Sequence, residues 1–228
     1  MKRQCLLVDA DDTLWENNIY FEGAIDRFIA YVNHLHYTRA QVRAVLDEIE
    51  RSNTAVHGYG SASFLRNLQE AFLRLAPDRA SEETLAEVAG FAASVLEHPV
   101  EVIPGVPETL EYLAARHRLV LLTKGEPAEQ RSKLERSGLA HFFAEARIVQ
   151  EKDEATYRAF VGQLGVAQDQ VWMVGNSPRS DINPALAAGL NAAWVPHDAT
   201  WVLEHEEIVP GPGKLLVLSR FVELQDYF

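Results

Sequence analysis

Short, uninterrupted apolar runs alternate with helical patterns along much of this chain, and each run is followed by a polar or glycine-containing segment. An apolar run of four or five residues without polar alternation is typical of a parallel strand that is covered on both faces. Because helix-length segments separate most of the runs, the pattern predicts an α/β fold with a doubly wound parallel sheet. The predicted strands are 5–8, 118–123, 146–149, 171–174, 191–195 and 215–218.

The long stretch between the first and second predicted strands has a different pattern, with apolar residues at helical spacing. Thr38-x-x-Gln41 is typical of a capping box at the start of a helix, and Pro99 and Pro104-Gly105 end the stretch. We therefore predict an all-helical domain at 17–99, inserted into a core made of 1–16 and 100–228. The predicted helical faces are Ile25, Phe28, Ile29 and Val32; Val42, Val45, Leu46 and Ile49; Phe64, Leu65, Leu68, Phe72 and Leu75; Leu85, Val88, Phe91, Ala92 and Val95.

Composition narrows the class of protein. The 228 residues are 47% hydrophobic, which is enough for one sizeable core and a smaller second one. The formal net charge of −12 and the lack of a basic stripe argue against a nucleic-acid partner. A membrane span needs about 18 consecutive apolar residues, and no such run is present. The single cysteine, Cys5, belongs to the first predicted strand and cannot form an internal disulfide. We expect a soluble, cytoplasmic protein without a membrane partner.

The first predicted strand ends in the sequence Asp9-x-Asp11-x-Thr13. Open α/β sheets bind ligands just beyond the carboxyl ends of their strands, so these acids are expected where a ligand would lie. Carboxylates at this spacing can hold a divalent cation, because an oxygen-ligated ion neutralises acids that would otherwise repel each other. They can also offer a nucleophile and a proton donor. The alternative is a polar turn in which Asp and Thr cap a helix.

Polar residues also follow the second and third predicted strands. Thr123 and Gly125 could let a hydroxyl and backbone N–H groups approach an anion closely, although Thr is also simply favoured at strand ends. Lys152 follows the third strand, where an isolated lysine would normally be a solvated surface residue. Lys124 is a competing cationic candidate, but because it directly follows the hydroxyl of Thr123 we expect it to face outward.

A glycine and an acid follow the fourth predicted strand. Gly175 directly precedes Asn176, and Asp181 comes six residues after the glycine. Asp181 is a candidate ligand for a cation. As an alternative, it could be the N-cap of a helix that runs through Ala185 and Leu186.

These four segments, in this order, resemble the four motifs of the haloacid dehalogenase (HAD) superfamily, whose members are mostly magnesium-dependent phosphotransferases that act through an aspartyl-phosphate. The resemblance covers essentially the whole chain, and it implies a HAD-like Rossmannoid core with a helical cap of the C1 type. It places Thr123 in the phosphate-contacting position and Lys152 as the lysine that offsets phosphate and carboxylate charge. The family's metal loop is usually Gly-Asp-x-x-x-x-Asp, and this chain departs from it with Asn176.

The resemblance also implies a role for each acid. Asp9 would be the nucleophile, and Asp11 would protonate the leaving group and later accept a proton from water. Mg²⁺ would be held by Asp9, the backbone carbonyl of Asp11 and Asp181. Because the departure at Asn176 removes a negative charge, we expect Asp181 to be the direct ligand and the amide of Asn176 to order a metal-bound water or Lys152.

Together these features predict a phosphatase that hydrolyses a small phosphorylated metabolite. Asp11 favours phosphoryl transfer over carbon–halogen cleavage, because haloacid dehalogenases of the superfamily lack a carboxylate at this position. A phosphonatase would need a cap lysine, and no lysine occurs between Glu16 and Pro99. Two alternatives stay open: a phosphomutase of the β-phosphoglucomutase type, which shares every motif, and a catalytically silent HAD-fold binding protein.

The eight histidines do not suggest a zinc site. His34-x-His36 follows an amphipathic helical pattern and has no set of spaced partners that resembles a zinc site. The other histidines are scattered along the chain, and we assign none of them a metal or a catalytic role.

Overall fold

In the computed structural model, the described residues are 2–32 and 37–228, and the pair His34-x-His36 lies outside them. The chain forms two compact units. We call Met1–Asn18 with Val100–Phe228 the sheet unit and Ile19–Pro99 the helical unit. The sequence-based boundaries, after residues 16 and 99, lie within two residues of this division.

The sheet unit contains six parallel strands, numbered along the chain as β1 Cys5–Val8, β2 Arg118–Lys124, β3 Glu145–Val149, β4 Val171–Gly175, β5 Asn191–Trp194 and β6 Leu215–Val217. Their order in the sheet is β3-β2-β1-β4-β5-β6. Val8 of the first strand pairs with Leu121 on one side and Val174 on the other, so the first strand lies in the middle of the sheet. All six predicted strands are confirmed, with boundaries that shift by one residue at most.

Among the described residues, four long helices make up the helical unit, and they confirm the helical periodicity of the sequence. The capping box is present: the Thr38 hydroxyl accepts a hydrogen bond from the backbone nitrogen of Gln41 at 3.3 Å. The predicted faces meet in one buried cluster that includes Phe28, Leu46 and Leu68. No helix of the described residues is long and apolar enough to cross a membrane. The four helices are α1 Asn18–Val32, α2 Arg39–His57, α3 Ser61–Leu75 and α4 Glu82–Glu97.

Both faces of the sheet are covered at its central strands, as the apolar runs predict, whereas the edge strands β3 and β6 are partly exposed. Leu6 and Val8 of β1 point to one apolar cluster, and Cys5 and Leu7 point to another on the opposite face. Successive side chains of a strand alternate between its faces, so a strand buried on both sides needs an uninterrupted apolar run. The helices of the sheet unit are α5 Val106–Ala114, α6 Pro127–Ser137, α7 Glu154–Leu164 and α8 Asn183–Ala187.

The parallel arrangement brings the polar ends of four strands to one edge. Asp9 directly follows β1, Thr123 is near the end of β2, and Asn176 directly follows β4. Lys152 lies three residues beyond β3. Because parallel strands run in the same direction, their carboxyl ends share one edge of the sheet.

Candidate active site

Asp9 is held firmly at the end of the central strand. Its backbone nitrogen donates to the carbonyl of Val174 at 2.9 Å, which continues the pairing of β1 with β4. One carboxylate oxygen, Oδ1, lies 2.5 Å from Lys152 Nζ, and the other, Oδ2, accepts a hydrogen bond from the Thr13 hydroxyl at 3.0 Å. Asp9 is buried. Its carboxylate therefore has a defined orientation before any ligand binds.

Lys152 joins two acids that are far apart in the sequence. Its ammonium lies 2.5 Å from Asp9 Oδ1 and 2.8 Å from Asp181 Oδ1, and its side chain is 2% exposed. Burial lowers the pKa of Lys152, but the charges of Asp181 and Asp9 outweigh burial and raise that pKa. Lys152 is therefore a charged group at the centre of the site and not a solvated surface residue.

Asp181 is buried in the loop that follows β4. Its Oδ2 accepts a hydrogen bond from the backbone nitrogen of Ser177 at 3.0 Å. Burial and the nearby charge of Asp9 raise the pKa of Asp181 to about 7, against the opposing effect of Lys152. Gly175 makes this placement possible, because a Cβ there would collide with the Asp181 carboxylate.

The alternative role of Asp181 as a helix N-cap is wrong. Its side chain lies within a π-helical turn, Pro178–Ile182, and that turn is capped by Ser177, whose hydroxyl accepts from the backbone nitrogen of Ser180 at 2.9 Å. The next helix, α8, begins at Asn183 and has no side-chain cap. Single π-helical turns occur frequently at functional sites, where they turn a side chain away from its regular direction.

The amide of Asn176 lies between two hydroxyls. Its nitrogen donates to Thr200 Oγ1 at 2.9 Å, and its oxygen lies 3.3 Å from Thr13 Oγ1. The described hydrogen bonds of the amide therefore involve Thr13 and Thr200 and not Lys152. Thr13 also bonds Asp9, so it connects the oxygen of Asn176 to the Asp9 carboxylate.

These groups fit a magnesium ion. Carboxylate and amide oxygens are the ligands that hard divalent cations prefer. Two buried carboxylates close to each other repel, and the raised pKa of Asp181 is a direct consequence of that repulsion and of burial. A cation held between Asp9 and Asp181 would relieve the repulsion. The donor set of Asp9, Asp181 and the oxygen of Asn176 is therefore suited to Mg²⁺.

Asp11 is held by three donors, none of which was predicted from the sequence. Its Oδ1 accepts from Trp15 Nε1 at 2.7 Å and lies 2.5 Å from Lys133 Nζ, and its Oδ2 accepts from Gln130 Nε2 at 2.7 Å. Burial raises the pKa of Asp11, but Lys133 together with the three donated hydrogen bonds outweighs burial and lowers that pKa. Gln130 and Lys133 are one turn apart on α6, and this spacing is the only signal that could have linked them.

Thr123 and Lys124 are the last two residues of β2. Thr123 is buried at the end of β2, and its hydroxyl makes a long contact of 3.4 Å with the carbonyl of Lys124. The prediction that Lys124 faces outward is wrong, because its side chain is only 14% exposed and its ammonium lies 2.6 Å from Glu204 Oε1. Glu204 is far away in sequence, so this buried partner cannot be inferred from the local pattern.

Asp12, Glu16 and His197 form a second group that could hold a metal ion. His197 Nε2 lies 3.1 Å from a carboxylate oxygen of Glu16, and His197 Nδ1 accepts from the backbone nitrogen of Ala199 at 3.2 Å. The Asp12 carboxylate accepts from the backbone nitrogen of Asn18 at 3.0 Å. Asp12 and His197 therefore each accept a backbone N–H, and His197 also contacts Glu16.

Comparison with known proteins agrees with this geometry. Residues 4–189 match the family model for haloacid dehalogenase-like hydrolases. A phosphoserine phosphatase from Thermus thermophilus is 38% identical over 129 residues, which are 53% of this chain and 48% of that protein. A phosphoglycolate phosphatase from Rhodospirillum rubrum is 34% identical over 161 residues, which are 67% of this chain and 64% of that protein. The chain thus spans about half of the first relative and somewhat less than two thirds of the second.

Solved structures show the same fold. A haloacid dehalogenase-like hydrolase from Xanthomonas campestris has a TM-score of 0.84 and is 28% identical, with 99% of this chain and 94% of that chain covered. Haloacid dehalogenases also resemble the chain at 16% to 23% identity, and a likeness at that level shows the fold alone. The family model covers most of the chain. The chain therefore belongs to the haloacid dehalogenase-like hydrolase family.

Proposed function

We propose that this protein is a magnesium-dependent phosphatase that hydrolyses a small phosphorylated metabolite through an aspartyl-phosphate intermediate. The observation that carries the proposal is the convergence of the Asp9 and Asp181 carboxylates on the buried ammonium of Lys152. Asp11, two residues beyond Asp9, adds the carboxylate that phosphoryl transfer requires and that dehalogenases of the superfamily lack. Two relatives that are phosphatases support the same reaction class.

Asp9 acts as the nucleophile in this proposal. Its carboxylate attacks phosphorus as the bond to the leaving oxygen breaks, and the aspartyl-phosphate divides one difficult displacement into two easier steps. Lys152, already charged and 2.5 Å from Asp9, is placed to hold a phosphoryl oxygen, and the hydroxyl of Thr123 holds another. Donors that are oriented in advance stabilise the transition state strongly, because they need no rearrangement during the reaction.

Mg²⁺, bound by Asp9, the backbone carbonyl of Asp11 and Asp181, would offset the charge repulsion between the attacking carboxylate and the phosphate. Asp181 is suited to this role because it is buried near Asp9, so a cation would offset the repulsion between the two carboxylates. Lys152 contributes a second positive charge, because its ammonium contacts the carboxylates of both Asp9 and Asp181.

Asp11 moves the protons. It donates a proton to the departing oxygen in the first step and accepts one from the attacking water in the second. Its contact with Lys133 favours the carboxylate form, which is the form that the second step needs. The first step needs the acid form, so Asp11 must give up its bond to Lys133 before it donates its proton to the leaving group.

We assign the helical unit, Ile19–Pro99, as the cap domain that selects the leaving group and excludes bulk water. The motif residues all belong to the sheet unit. This separation supports a division in which the sheet unit performs the chemistry and the helical unit determines which substrate is accepted. We also place the enzyme in the cytoplasm, since its single thiol is buried and cannot form an internal disulfide.

A panel of phosphorylated metabolites, assayed for phosphate release with Mg²⁺ and with EDTA, tests the proposal. We expect Mg²⁺-dependent release from one class of small phosphomonoester, loss of release in EDTA, and no turnover by Asp9→Asn. Near-native turnover by Asp9→Asn, or release that EDTA does not affect, would contradict the proposed mechanism. Conversion of one sugar phosphate into its isomer without phosphate release would identify a phosphomutase, and absence of any turnover would favour a binding protein.

A further inference from the structure

Two polar side chains from the segment after β5 contact the loop that carries Asn176 and Asp181. They are Thr200 and Glu204, and both are buried although the segment around them is partly exposed. Neither belongs to the four motif segments. Each of them accepts a hydrogen bond from that loop.

The hydroxyl of Thr200 determines which way the amide of Asn176 faces. Thr200 Oγ1 donates its single proton to the carbonyl of His197 at 2.8 Å. The same oxygen can therefore only accept from Asn176, and its partner at 2.9 Å must be the amide nitrogen and not the amide oxygen. The amide oxygen of Asn176 is then directed away from Thr200, toward Thr13, which also bonds Asp9.

Proton counting at Thr13 leaves that amide oxygen available. Thr13 has one hydroxyl proton, and its oxygen lies 3.0 Å from Asp9 Oδ2 and 3.3 Å from Asn176 Oδ1. The shorter bond, to a charged acceptor, takes the proton, because charge-assisted hydrogen bonds are the stronger ones. Asn176 Oδ1 is then without a committed donor among the described residues, and it shares the Thr13 hydroxyl as a neighbour with the carboxylate of Asp9. An oxygen in this position can face a cation.

Glu204 holds the other end of the same loop. Its Oε1 lies 2.6 Å from Lys124 Nζ, and its Oε2 accepts from the Ser177 hydroxyl at 2.5 Å. Ser177 in turn donates its backbone nitrogen to Asp181 Oδ2 at 3.0 Å. Lys124 also donates to Ser180 Oγ at 2.8 Å, so the ion pair contacts the loop at two points. Moving Glu204 would therefore loosen the residue that orients Asp181.

We propose that Thr200 and Glu204 are positioning residues of the magnesium site, Thr200 by directing the amide oxygen of Asn176 toward the cation and Glu204 by fixing Ser177 and thereby Asp181. The proposal rests on the proposed function for the identity of the metal. It also gives a physical basis for Asn176, where the usual metal loop has Asp. The Thr200 oxygen accepts from the amide nitrogen of Asn176, and an aspartate at this position would present another acceptor to that oxygen instead of a donor.

Mg²⁺ binding to the full chain without substrate, measured by isothermal titration calorimetry, tests the proposal independently of turnover. Thr200→Val removes the acceptor and keeps the shape, and Thr200→Ser keeps the hydroxyl. We expect Thr200→Val and Glu204→Gln to weaken Mg²⁺ binding about tenfold, the equivalent of one hydrogen bond at about 1.4 kcal/mol. Thr200→Ser and the surface control Glu206→Gln should bind Mg²⁺ as the wild type does. Circular dichroism in EDTA establishes that each variant is folded.

Each outcome decides the proposal. Equal Mg²⁺ affinity of Thr200→Val and Thr200→Ser would overturn the role of Thr200, and this pair remains informative even if Glu204→Gln does not fold. Wild-type affinity in a folded Glu204→Gln would overturn the role of Glu204, and a wild-type protein that binds no Mg²⁺ would overturn both. If the expected affinity losses are found but no phosphoester is hydrolysed, the proposed function fails while the metal-positioning roles stand.

Discussion

Replacing Lys152 by Met is the sharpest test of how the site is held together without a metal. Met has a similar length and an apolar stem but no charge, so the substitution removes the ammonium and leaves Asp9 and Asp181 buried without a counter-ion. Removal of one partner of a buried ion pair costs about 3 to 5 kcal/mol. The side chains of Lys152, Asp9 and Asp181 are 2%, 10% and 1% exposed, so screening by water does not reduce this cost much.

A matched control separates the effect of burying an unpaired charge from the effect of losing an ion pair that is in contact with water. Lys133→Met breaks the ion pair between Lys133 and Asp11, whose side chains are 21% and 23% exposed, respectively. For such a pair, in partial contact with water, we expect a loss of about 0 to 1 kcal/mol. The free energy of unfolding is measured by urea denaturation at neutral pH in EDTA, followed by circular dichroism.

The direction of the pH dependence follows from Asp181. Its folded pKa, about 7, lies above the usual value of a carboxyl, and loss of Lys152 raises it further. A carboxyl whose folded pKa is raised binds more protons in the folded state, so its destabilising effect grows as pH rises from its unfolded pKa to its folded pKa. The deficit of Lys152→Met should therefore shrink as pH falls toward about 4. Mg²⁺ should restore part of the lost stability at neutral pH. A loss below about 1 kcal/mol in EDTA at neutral pH, or one equal to that of Lys133→Met, would refute the reasoning.

Three further predictions concern the proposed reaction. With p-nitrophenyl phosphate, whose leaving group needs no proton, Asp11→Asn should slow breakdown of the intermediate by about 10² to 10⁴ and give a rapid-quench burst. Asp9→Asn should give neither burst nor turnover, and a burst from this variant would exclude Asp9 as the nucleophile. Asp181→Ala should raise the Mg²⁺ concentration needed for activity far more than Asn176→Ala does, because a carboxylate binds a hard cation more strongly than an amide does. Activity titrated against Mg²⁺ for both variants checks this prediction, and the opposite order would make Asn176 the principal ligand. Replacing 19–99 by the corresponding unit of a relative should change which phosphoesters are cleaved and leave phosphorylation of Asp9 by a small activated donor intact; a folded chimera that cannot be phosphorylated would contradict the proposed division between cap and core.

Several features of this protein follow from the sequence by itself. The central strands follow from apolar runs, since a strand buried on both faces needs an unbroken run such as that from Cys5 to Val8. The helical unit follows from apolar spacing together with the capping box at Thr38 and Gln41. Both signals are local, because strand and helix periodicity and capping depend on residues only a few positions apart. The candidate residues at the strand ends could be named for the same reason, since each directly follows a recognisable strand.

Only the tertiary structure decided which of these side chains meet and what holds them. Lys124 pairs with Glu204 inside the protein although its sequence neighbours suggest an outward direction, and Gln130 of α6 reaches Asp11 across the sheet edge. Thr200 orients Asn176 from a segment that has no motif of its own. Hydrogen bonds and ion pairs act over about 3 Å in space without regard to separation along the chain. The sequence of this protein therefore determines its strands, its helices and the polar residues at their ends, whereas the orientation of those residues depends on partners that only the folded chain brings within reach.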